Sequence, residues 1–71
     1  MADQHCVLVR AVGRKLDSLR EEASSTAHRC GTGWWAERRA EGTAFCFENA
    51  NAKIIFLAYC ARHDIQCAEL R

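Results

Sequence analysis

A chain of 71 residues can build one hydrophobic core and no more, and that limit constrains everything else it can do. Chains of about 60 residues bury only about 60% of the surface their unfolded form exposes, so such domains are marginally stable. They usually compensate with disulfides, a metal ion or a partner chain. A chain this short is expected to use one of the three.

The five cysteines are Cys6, Cys30, Cys46, Cys60 and Cys67, and an odd number rules out a fully paired framework within one chain. The start Met1-Ala2-Asp3-Gln4-His5 lacks the basic residues and long apolar stretch of a leader peptide. A cytoplasmic location is therefore expected, with reduced, mostly buried thiols and no disulfide scaffold. A metal is not expected either. Cys60, His63, Asp64 and Cys67 carry ligand-type groups at short spacing, with His28 and Cys30 upstream. Structural zinc sites favour paired C-x2-C spacings, however, and none occurs here. No cofactor is expected. By elimination, a partner chain is the means of stabilisation to consider.

The order of elements follows from periodicity. Cys6-Val7-Leu8-Val9, within His5 to Ala11, is a β-branched, nearly continuous apolar run suited to a central strand. From Val12 to His28, apolar residues recur every three or four positions (Val12, Leu16, Leu19, Ala23, Ala27) against a charged face, which predicts an amphipathic helix. Gly31 and Gly33 end it. Trp34 to Ala40 and Thr43 to Glu48 predict an antiparallel pair joined through Glu41-Gly42. Asn49 or Asn51 can cap a second helix running to about His63, and Ile65 to Leu70 predicts a last strand. One long helix over His5 to His28 is the rival for the first two elements. The order β-α-β-β-α-β is the ferredoxin-like arrangement: a single two-layer α+β domain over residues 1–71, with a four-stranded antiparallel sheet and two helices on one face. In it the first and third strands are central. Those are the apolar ones here, whereas Glu37, Arg38, Arg39 and Glu41, or Gln66, Glu69 and Arg71, fall on edges, where charge discourages aggregation.

The second helix carries more apolar surface than so small a core requires. Ala50, Ile54, Leu57, Ala58 and Ala61 form one stripe and are expected to face the sheet. Ala52, Ile55, Phe56, Tyr59 and Cys60 form another, with Ile55, Phe56 and Tyr59 expected to meet a partner. Alternation along the strands sends Val7, Val9, Phe45 and Phe47 toward the helices. It sends Cys6, Leu8, Ala44 and Cys46 to the opposite face, together with one of Trp34 and Trp35. That face is expected to be open, with Leu8 and one tryptophan available to a partner.

Chemistry-bearing patterns are few. His5, His28 and His63 show no recognisable catalytic spacing, and Gly31-Thr32-Gly33 lacks the further residues of a phosphate-binding loop. Cys30, beside Arg29, is the best candidate for a reactive thiol. Glu41 to Glu48 resembles the third-strand motif of RNA-recognition domains in Phe45 alone. Glu41 and Thr43 stand where that motif has a basic and an aromatic residue. A net charge of +1 gives no case for strong nucleic-acid or membrane binding. The longest apolar run, Ile54 to Ala61, is eight residues, against about 20 needed to span a bilayer.

The expected function is a non-catalytic protein-interaction module: a small regulator, inhibitor or adaptor of the kind mobile elements encode, acting on a protein partner or on itself as a homodimer. The alternative is a weak RNA- or DNA-binding domain using the open sheet face with Arg38 and Arg39.

Overall fold

The computed structural model describes residues 5–70. Met1 to Gln4, read above for a leader, and Arg71, read above as an edge charge, lie outside the described residues. The elements are β1 (His5–Val9), α1 (Arg14–Cys30), β2 (Trp34–Arg39), β3 (Gly42–Phe47), α2 (Ala50–Arg62) and β4 (Cys67–Leu70). They build one antiparallel sheet in the order β2-β3-β1-β4, so the two apolar strands are central and the two charged ones form the edges. This is the ferredoxin-like two-layer arrangement, and the long-helix rival is excluded.

Each boundary has a local cause. Gly13, at φ 63°, delays α1 until Arg14. Val12 is thus left outside the helix and 84% exposed, a correction to its expected place in the apolar stripe. At the other end Gly31 adopts the left-handed conformation. Its N–H donates to the His28 carbonyl at 3.1 Å and that of Thr32 donates to the Ala27 carbonyl at 2.9 Å, the paired bonds of a Schellman stop. The stop of α2 has the same bonds, Asp64 to Ala61 and Ile65 to Cys60, but places Asp64 at φ 56°. Asn49 caps its start by accepting from the Asn51 N–H at 2.7 Å.

The β2–β3 hairpin pairs Arg39 with Gly42 across Ala40-Glu41. Gly42 is required there, because a Cβ would meet the Val9 carbonyl oxygen of the neighbouring strand at 2.3 Å.

The core lies between sheet and helices. Val7, Val9, Phe45 and Phe47 from the strands meet Leu19, Ala23 and Ala27 of α1 and Ala52, Phe56 and Cys60 of α2. Phe56 sits with its ring centroid 5.2 Å from Phe45 and 5.4 Å from Phe47, and Trp34 stacks on Phe45 from the hairpin side. The tryptophans therefore divide as alternation requires, Trp34 toward the helices and Trp35 toward the other face.

Candidate functional site

Two surfaces were expected to meet a partner, and the structure revises both. On α2 the expected facing is largely reversed, although Ile55 is exposed and Leu57 packs inward as expected. Ala52, Phe56 and Cys60 are fully buried, whereas Ile54 is 60% exposed and Ile55 41% exposed. Phe56 is thus a core residue and not an interface residue. The cause is fit: the small Ala52 and Cys60, four residues either side of Phe56, let the helix approach the sheet, and the ring fills the space between Phe45 and Phe47. Leu57 and Tyr59 pack partly against the same core. Tyr59 also lies 4.3 Å from the His63 ring.

What α2 leaves in solvent is its outer flank. Ala50, Ile54, Ile55, Ala58 and Ala61 are all exposed, and Asn51 and Arg62 are the polar residues among them. Ile55, Ala58 and Tyr59 form one wall of a shallow groove of about 260 Å³ between the helices, with Glu22, Arg29 and Arg62 along its rim. Glu22 and Arg29 are tied across one another at 3.4 Å, and Glu22 also accepts a hydrogen bond from the buried Thr26 hydroxyl at 3.3 Å.

The far face of the sheet is the second revision. Leu8 is 6% exposed and Cys6, Ala44 and Cys46 are 4%, 0% and 1% exposed, so this strip is covered and Leu8 is not available to a partner. Cys6 and Cys46 are directly opposite one another on the central strands, with Cα atoms 4.0 Å apart, and are joined as a disulfide. This corrects the expectation that every thiol stays reduced. The bridge forms a small second core with Ala44, and Trp35, paired with Cys46 across β2 and β3, packs over it. The Trp35 indole N–H donates to a Glu37 carboxylate oxygen at 3.3 Å. The other oxygen of that carboxylate takes the Arg39 guanidinium at 3.3 Å, which links Trp35, Glu37 and Arg39 along the outer side of β2.

The remaining cysteines are free. Cys30 and Cys67 are half-buried and Cys60 is inside the core. Burial pushes the Cys60 thiol up to about 12, assisted by the nearby Cys67 sulfur, to which it is hydrogen-bonded. Such a thiol is a packing group and not a nucleophile. Among the described residues, no three His, Cys, Asp or Glu side chains lie together as a metal ion would need. No described helix is long and apolar enough to cross a membrane.

The hairpin end of the sheet brings together residues that are distant along the chain. There Arg10, Arg38 and Arg39 line one open cleft of about 430 Å³, closed on its other side by Val12 and Leu16 and bordered by Glu41. Arg38 and Arg39 are neighbours in sequence, but Arg10 lies 28 residues before Arg38 and joins them only through strand pairing.

Together these features define a small α+β domain of ferredoxin-like topology, stapled across its central strands, with an apolar helix flank and a basic cleft. Comparison with protein-family models, with curated proteins and with solved structures finds no match.

Proposed function

We propose that the chain is a non-catalytic protein-interaction module, a small regulator, inhibitor or adaptor, whose contact surface is the outer flank of α2. One observation carries the reading: from Ala52 to Ala61 α2 is apolar but for Lys53, yet it fully buries only Ala52, Phe56 and Cys60 and leaves Ile54 and Ile55 in solvent. A helix hydrophobic on all sides is ordinarily buried on all sides, and a second chain supplies the missing cover. The flank has an apolar centre and a rim of Glu22, Arg29 and Arg62, the usual layout of a contact patch. A second copy of the same chain is the first occupant to test, since twofold self-association covers such a face with no other component.

Light scattering of the purified oxidised protein across a range of concentrations tests it, beside Ile54→Glu and Ile55→Glu. The expected result is a dimer that both substitutions convert to a folded monomer. A wild-type monomer at the highest concentration removes self-association, and a dimer untouched by either substitution removes the α2 flank. The expected cytoplasmic location stands against the Cys6–Cys46 bond, because disulfides persist in oxidising compartments and are rare in reducing ones. The mass of the protein alkylated directly in its native extract decides between them.

A further inference from the structure

We infer that the cleft at the hairpin end of the sheet binds a phosphate group, with Arg10, Arg38 and Arg39 as its ligands. Arg39 pairs with Gly42, and β1 runs along the other side of Gly42, where a Cβ would stand 3.5 Å from the Arg10 Cα. The backbone between the two arginines therefore carries no side chain at Gly42. Arg38, one residue before Arg39 and on the other face of β2 by strand alternation, also lines the cleft.

Three arginines line this cleft against one lining acidic residue, Glu41. Among the described residues, Arg10 and Arg38 have no ion-pair partner. Arg39 holds Glu37 at 3.3 Å with both side chains about half exposed, a pair weak enough to yield to a stronger anion. Guanidinium forks match the geometry of phosphate oxygens, and several around one cleft suit a multiply charged tetrahedral anion better than a single carboxylate.

The charge pattern of α1 points the same way. Helix starts ordinarily carry acidic residues, but this one opens with Arg14-Lys15, and Asp17 is the acidic residue of its first turn. Leu16 of that turn lines the cleft. Like charge gathered where local rules would disperse it is the kind of conflict that marks a binding site. The cleft shares no residue with the α2 flank, so this inference does not rest on the interaction reading.

The phosphate can belong to a small phosphate ester or to the backbone of a single-stranded nucleic acid, and one titration separates these sources. Amide resonances are followed by NMR at constant ionic strength during addition of pyrophosphate, then of a mononucleotide, then of a short single-stranded oligonucleotide. Saturable shifts confined to Arg10 to Gly13 and Arg38 to Thr43 are expected. Arg10→Ala and Arg38→Ala should each weaken them about tenfold or more while the spectra stay dispersed, since each removes a charge-assisted contact from an exposed site. Tighter binding of the oligonucleotide, which weakens steeply when the titration is repeated at higher salt, assigns a nucleic-acid backbone; equal or weaker binding assigns a small ester. No saturable shift with any of the three ligands, or shifts that survive both substitutions unchanged, overturns the inference.

Discussion

The sharpest test of the fold is the facing of α2, because the two stripes on this helix look equally apolar and only one can be inside. Phe56→Ala removes a fully buried ring that touches both Phe45 and Phe47. Deleting a buried phenyl group costs about 3–5 kcal/mol, through lost transfer free energy plus the cavity left behind. The upper end applies here, because the space is walled by two aromatic rings of central strand β3, which cannot collapse into it without moving the sheet. Ile54→Ala removes a side chain that is 60% exposed, and substitutions at such positions stay within about 0.5 kcal/mol. A domain of this length has roughly 4–11 kcal/mol in total, so Phe56→Ala consumes a large share of it. Urea unfolding should be followed by far-ultraviolet circular dichroism and by tryptophan fluorescence, since Trp34 stacks on Phe45 and reports the same core. The disulfide stays oxidised throughout, and the protein is kept dilute enough to be monomeric. A midpoint shift several-fold larger for Phe56→Ala than for Ile54→Ala is expected. Equal shifts, or a larger one for Ile54→Ala, refute the facing and the exposed flank with it.

Four further predictions use separate parts of the structure. Reducing the Cys6–Cys46 bond opens a loop of sequence separation 40, for which chain entropy gives about 4 kcal/mol; urea midpoints with and without a phosphine reductant measure it, and Cys6→Ala/Cys46→Ala should not respond to the reductant. Gly42→Ala should cost more than about 2 kcal/mol, because its methyl group would press on the Val9 carbonyl 2.3 Å away, whereas Gly31→Ala, with open space around it at φ 63°, should cost only about 1 kcal/mol. Asp64→Gly should raise the thermal midpoint, by relieving the left-handed strain of the α2 stop. The Cys60 thiol, held protonated up to about 12, should resist alkylation at pH 8.5 until the protein unfolds, while Cys30 reacts first; because the folded state binds this proton more tightly, its contribution to stability is complete below pH 8 and is lost as pH rises toward 12.

How much of this could be read along the chain depends on the range of the interaction involved. The six elements and their order follow from short-range periodicity, and the edge and central strands from the placing of charge, so all were legible. The start of α1 was not, because the stripe beginning at Val12 fits the helical period and only the positive φ of Gly13 breaks it. Two apolar stripes lie side by side on α2, and periodicity ranks neither; the choice is made by the shape of the space between Phe45 and Phe47, which belongs to another element. The disulfide was nearer to hand. Alternation already placed Cys6 and Cys46 on one face of adjacent central strands, and the register Cys6↔Cys46 was the single missing step. An odd cysteine count excludes complete pairing but says nothing against one bridge. Arg10 escaped for the same reason, since its relation to Arg38 and Arg39 exists only across the sheet.

The two surfaces can be judged independently, and this gives the functional readings their force. The α2 flank lies on the helical layer and the basic cleft at the hairpin end of the sheet, and they have no residue in common. Effects at sites without shared partners add to within a few tenths of a kcal/mol. Ile54→Glu should therefore leave the phosphate titration unchanged, and Arg38→Ala should leave the solution mass unchanged. If instead Ile54→Glu abolishes phosphate binding in a protein that is still folded, the cleft is completed by a second copy of the chain. The apolar flank would then serve to assemble the basic site, and the two readings would become one.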